Sequence, residues 1–75
     1  MTALKVPPVS ITMESVRVVR WLVADGAQVH EGDTVVEIET DKSTLEVSAP
    51  AAGTIAIRAE AGATVAPDAV LAEIG

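Results

Sequence analysis

Cysteine, phenylalanine and tyrosine are absent from this chain, and Trp21 is its single aromatic residue. Without cysteine there is no disulfide, and any thiol chemistry has to come from an attached group. The absence also fits a reducing compartment. One histidine, His30, with no cysteine or second histidine, makes neither a ligand set nor a convincing general base. It reads as a solvated loop residue, and no metal site is expected. Basic residues are scarce: five against eleven acidic ones, for a formal charge of −6. Nucleic acid needs a basic stripe, and anionic membrane surfaces need basic clusters, so both are disfavoured. The charge favours solubility and partners with basic docking faces. No apolar run reaches the length of a signal-peptide core or a membrane span, and no Arg-rich transit segment is present. The expected localisation is cytoplasmic, for this chain or for a longer cytosolic or organellar protein from which it is cut. No G-x-x-x-x-G-K phosphate loop occurs either. Gly26, Gly32, Gly53 and Gly62 read as turn glycines.

What remains is a short chain rich in β-branched residues. Seventy-five residues make one domain, 1–75, with a small core built from Val, Ile, Leu and Ala. Valine favours strands. Short strands are expected over 4–6, 17–23, around Val29, and over 34–39, 44–48, 54–59 and 69–74. Pro7-Pro8, Asp25-Gly26, Glu31-Gly32-Asp33, Pro50, Gly53 and Ala61-Gly62 separate them. Residues 9–15 read as a surface loop, and no segment supports a helix. The class is all-β, a small sandwich or barrel.

An internal repeat sharpens this. A shift of 36 residues lays Gly26-Ala27-x-Val29 on Gly62-Ala63-x-Val65, Val35 on Leu71, and Glu37-Ile38 on Glu73-Ile74. It also lays Val19 and Trp21 on Ile55 and Ile57. Neither copy could bury its apolar face alone, so two copies packed about a pseudo-twofold axis are expected. The same shift sets Lys42 on Val6, so the hairpin holding Lys42 should lie opposite the chain ends.

Lys42 is one of only two lysines, the other being Lys5. Folding Thr34 to Ser48 about a two-residue Asp41-Lys42 loop makes Thr40 face Ser43, Ile38 face Leu45 and Val36 face Val47. Glu37 then opposes Glu46, and like charges so placed are unfavourable. Glu37, Glu39, Asp41 and Glu46 form an acidic rim with no evident packing reason. It serves either as solubilising charge or as a recognition surface. By itself a turn lysine is an ordinary solvated residue. Trp21 reads as a packing residue, with Lys5, Arg17 and Arg20 on a solvated face.

The wider pattern resembles a known family. Trp21-Leu22-Val23, Asp25-Gly26, Val29, Glu31-Gly32-Asp33, Val35, Glu37-Ile38-Glu39-Thr40-Asp41-Lys42, Glu46-Val47, Ala49-Pro50, Gly53, Gly62 and Leu71-Ala72-Glu73-Ile74 resemble the lipoyl domain of 2-oxo acid dehydrogenase complexes. The likeness runs from Leu4 to Gly75. It implies a flattened β-barrel of two four-stranded antiparallel sheets. It implies lipoate in amide linkage on Lys42, with Asp41 and Ser43 in the flanking turn positions. Many members have alanine at the place of Ser43 and glycine at the place of Val16. The function implied is that of a carrier without its own catalytic site. Its lipoyl arm moves acyl groups and reducing equivalents between active sites, and tethering replaces diffusion by a high effective concentration. Implied partners are a thiamine-dependent 2-oxo acid decarboxylase, a dihydrolipoyl acyltransferase core, dihydrolipoyl dehydrogenase and lipoate-attaching enzymes. Glu37, Glu39 and Glu46 would be recognition residues. A biotinyl carrier domain shares the fold, but that family usually sets methionine on both sides of its lysine, where Asp41 and Ser43 stand here. An unmodified protein-binding β-module is the other alternative.

Overall fold

In the computed structural model, residues 1–6, 15–40, 43–66 and 69–75 are described. Eight strands run in chain order: β1 Thr2–Lys5, β2 Val16–Trp21, β3 Gln28–Val29, β4 Thr34–Glu39, β5 Thr44–Ser48, β6 Gly53–Ile57, β7 Thr64–Val65 and β8 Val70–Ile74. No helix occurs among the described residues. The strands form two four-stranded sheets, in the orders β1-β8-β6-β3 and β5-β4-β2-β7. Every pairing is antiparallel. The molecule is flattened, 32 × 20 × 16 Å.

Alternation explains both sheets. Val36 and Ile38 of β4 are fully buried while Glu39 is exposed and Glu37 only partly covered. Val18, Val29, Ile55 and Ile74 complete the centre of the core, and no polar or charged side chain is buried with them among the described residues. Trp21 packs against the edge of this core, and its indole Nε1 donates to the Ala59 carbonyl at 2.7 Å. That bond satisfies the one polar atom of a mostly apolar ring.

The repeat appears as a reciprocal exchange of backbone bonds. Gly26 N–H donates to Ile55 O and Ile55 N–H to Ala27 O. In the other half, Gly62 N–H donates to Val18 O and Val18 N–H to Ala63 O. Each half therefore docks its glycine turn on a strand of the other. The counterpart of Ile55 is Val18, not the Val19 that the sequence shift indicates. A bulge in β2 between Val18 and Arg20 is the cause. It inserts one residue, turns Val19 outward to 38% exposure and leaves Val18 fully buried.

Smaller differences follow from the same local geometry. The first strand is Thr2–Lys5 rather than 4–6, although Val6 N–H still reaches Ala69 O. The second begins at Val16, which is fully buried and paired with Val65. β2 and β6 end at Trp21 and Ile57, two residues short of the expected ends. The two-residue β7 escapes alternation altogether. The loop expected over 9–15 lies outside the described residues except Ser15. All four turn glycines have positive φ; Gly53, at +148°, is also packed against the backbone of Gly75, where a Cβ would come within 3.1 Å.

Candidate functional site

The β4–β5 hairpin has the register its apolar pattern demands. Val36 pairs with Val47, Glu37 with Glu46, Ile38 with Leu45 and Glu39 with Thr44. Beyond Glu39 and Thr44 the ladder continues through Thr40 and Ser43. Thr40 N–H donates to Ser43 O at 2.8 Å, and Ser43 N–H donates to Thr40 Oγ1 at 3.2 Å. The Thr40 hydroxyl also donates to Ser43 O at 3.1 Å. A threonine at this place thus closes the hairpin with side chain as well as backbone. Only Asp41 and Lys42 join these bonded partners in sequence, and both lie outside the described residues. Ser43 is exposed.

The acidic side chains differ in their surroundings. Glu37 does face Glu46, as the register requires, but on its other side stands Arg20 of β2, its partner in the β2–β4 ladder. The Arg20 guanidinium donates to the Glu37 carboxylate. The rim therefore has a packing reason at Glu37, and Arg20 is a cross-strand ion partner rather than simply solvated. Glu46 and Glu39 are exposed. Arg17 stands directly opposite Glu39 in the same ladder, and also opposite Thr64 of β7. No ion pair joins Arg17 to Glu39 among the described residues. Between them opens a surface pocket of about 190 Å³ lined by Ser15, Arg17, Glu39, Thr40 and Thr64. Arg17 and Thr64 are the parts of this region that the alternation pattern misses. Their meeting depends on the β2–β4 and β2–β7 registers, which the bulge conceals.

Elsewhere the surface is unremarkable chemically. His30 is exposed, 3.7 Å from the Asp33 carboxylate, whose second role is to accept the His30 backbone N–H. No group of three or more metal-ligating side chains occurs among the described residues.

The hairpin lies far from the chain ends. Met1 and Gly75 sit together beside β1 and β8, and Gly75 exchanges two backbone bonds with Thr54. Gly53, next to Thr54, pairs with Val29. From β3 the chain turns through Gly32, bonded to Ala49, into the start of β4. The six residues of β4 then lead away from that pole toward Thr40. At the usual strand rise this is roughly 20 Å.

Comparison with known proteins agrees with this architecture. The family model described as "Biotin-requiring enzyme", covering biotin and lipoyl carriers, matches residues 2–74. A 50-residue stretch, 67% of the chain, is 50% identical to the dihydrolipoyllysine-residue acetyltransferase component of the pyruvate dehydrogenase complex of Rhizobium meliloti. A 71-residue stretch, 93% of the chain, is 38% identical to the dihydrolipoyllysine-residue succinyltransferase component of the 2-oxoglutarate dehydrogenase complex of Cupriavidus necator. These matches span only 11% and 17% of the two relatives. The solution structure of the lipoyl domain of the 2-oxoglutarate dehydrogenase complex of Azotobacter vinelandii superimposes with a TM-score of 0.81 at 32% identity, covering all of this chain and 96% of that one. A match in both fold and sequence over nearly the whole chain identifies it as a lipoyl domain of the biotin and lipoyl carrier family.

Proposed function

We propose that the domain carries lipoate in amide linkage on Lys42 and serves as the mobile carrier of a 2-oxo acid dehydrogenase complex. The observation that carries the reading is the two-residue connection Asp41-Lys42 between the bonded pair Thr40 and Ser43. A closed pair on either side fits an attachment residue that must be offered to several large enzymes in turn, because it costs little entropy to present. When bound, lipoate supplies a disulfide that can take up an acyl group together with two electrons. The chain's own part is to hold the hairpin rigid, keep its base soluble and acidic, and be recognised. It contributes no catalytic group of its own.

By likeness to the acetyltransferase and succinyltransferase components, the domain works as part of, or beside, a dihydrolipoyl acyltransferase in the cytoplasm. Its partners are then the thiamine-dependent decarboxylase, the acyltransferase core, dihydrolipoyl dehydrogenase and the enzymes that attach lipoate. Glu39 and Glu46 are the exposed acids left for recognition once Glu37 is engaged by Arg20. The test offers the lipoylated domain, and free lipoamide at equal concentration, to decarboxylases acting on pyruvate and on 2-oxoglutarate. One of the two should acylate the domain far faster than lipoamide. Equal rates with both acceptors, for both enzymes, would contradict the carrier reading.

A further inference from the structure

Two Arg/Glu pairs cross the β2–β4 ladder on the same outer face, and they behave differently. Arg20 and Glu37 close on one another. Arg17 and Glu39, one row nearer the hairpin, stay apart, with the pocket between them. The other half of the molecule serves as an internal control. There the registers set Thr54 at the place of Arg17, Gly75 at that of Glu39, and Gln28 at that of Thr64. Glu73, the counterpart of Glu37, again bridges to an arginine, Arg58, at 2.7 Å. A glutamate held by arginine thus recurs in both halves, as a structural device would. The unbridged Arg17 and Glu39 occur only in the half that bears Lys42.

The pocket's chemistry narrows what fits. Arg17 offers only donors and Glu39 only acceptors, Ser15 and Thr64 add hydroxyls, and the Thr40 hydroxyl is engaged with Ser43. An anion would meet Glu39 and a cation would meet Arg17, so neither charge is favoured. A neutral group with one donor and one acceptor, flanked by methylenes, matches the charges and the threonine methyl groups together. The secondary amide of an acylated lysine is such a group, and Thr40 is two residues from Lys42 in the chain.

We propose that Arg17 and Glu39 form a resting site for the arm attached to Lys42, Arg17 donating to the arm's amide carbonyl and Glu39 accepting its N–H. The inference rests on lipoate being the group on Lys42. The pocket is open to solvent, so the docked arm exchanges rapidly with the free arm. Arg17 and Glu39 are positioning residues here, shortening the search of the arm without touching its sulfurs.

The test begins with domain shown by intact mass to carry lipoate. Absence of the mass increment sinks the carrier reading itself and this one with it. In loaded domain, hydrogen exchange of the arm's amide N–H is measured by NMR against a lipoyl-lysine peptide. One hydrogen bond of ordinary strength should slow exchange by about threefold to tenfold. Lipoylation should also shift the amide resonances of Arg17 and Thr64, which are distant from Lys42 in sequence. In Glu39→Gln and Arg17→Gln, both exposed substitutions, exchange should return toward the peptide rate. Thr54→Ala, at the equivalent place on the other sheet, should leave it slowed. Peptide-like exchange in the loaded wild-type domain, with shifts confined to residues 39–46, would overturn the docking site and leave the carrier reading standing.

Discussion

Glu37 shows how one residue can look unsupported in one dimension and be well supported in two. Along the hairpin it faces Glu46, a like charge. Across the next ladder it is held by Arg20. The hairpin register is legible because it follows from local alternation, whereas the Arg20 contact needs the β2–β4 register, set by a bulge that no local pattern announces. Both side chains of the pair retain solvent, 67% for Arg20 and 20% for Glu37, so the coupling is small. A double-mutant cycle over Arg20→Ala and Glu37→Ala, read by urea unfolding, should return about 0.2–1 kcal/mol. Glu46→Ala should leave stability unchanged or slightly raised, since it removes a repulsion and no partner. Trp21→Phe keeps most of the ring but loses the bond to Ala59, and should cost on the order of 1 kcal/mol in the same measurement.

At the level of elements, β4 and β5 were readable to the residue, and β2 was not. From Val36 to Val47 apolar and polar residues alternate around a two-residue connection, so this part of the hairpin admits one good pairing, while the register shifts between Thr34 and Val36, where Val35 and Val36 are both buried. In β2, Val18-Val19 offers two adjacent valines, and alternation cannot say which one faces the core. The bulge decides for Val18. Val18→Ala should therefore destabilise by about 2 kcal/mol, from two lost methylene equivalents and the space they leave. Val19→Ser, at the bulge, should stay within about 0.5 kcal/mol of wild type. Similar losses at both valines in thermal or urea unfolding would show that the bulge is misplaced. β7 was missed because two residues are too few for periodicity, although the repeat already aligned Val65 with Val29. Val16 stands one residue before the expected start of the second strand, and it is the first buried residue of that strand. The acidic rim was legible as a cluster, but its division into a bridged Glu37 and exposed Glu39 and Glu46 required the sheet.

For the whole molecule, the repeat has a functional consequence. Two halves that dock their glycine turns on each other place the chain ends at one pole and the bonded pair Thr40 and Ser43 toward the other. A carrier tethered at one pole keeps the opposite pole clear for its partners. Among the described residues the core is small and wholly aliphatic apart from the tryptophan at its edge. The chain has no cysteine, so in the proposed function the thiol arrives on a lysine, and the chain has only Lys5 and Lys42. Lys5 lies in β1, paired with Val70 beside the chain ends, and Lys42 is the proposed attachment residue. The most direct measurement is the intact mass of the domain after co-expression with a lipoate-attaching enzyme, for wild type, Lys42→Ala and Lys5→Ala. The expected result is one lipoyl-amide increment in wild type and Lys5→Ala, and none in Lys42→Ala. An increment that survives Lys42→Ala, a biotin increment in its place, or no increment in wild type would contradict the assignment.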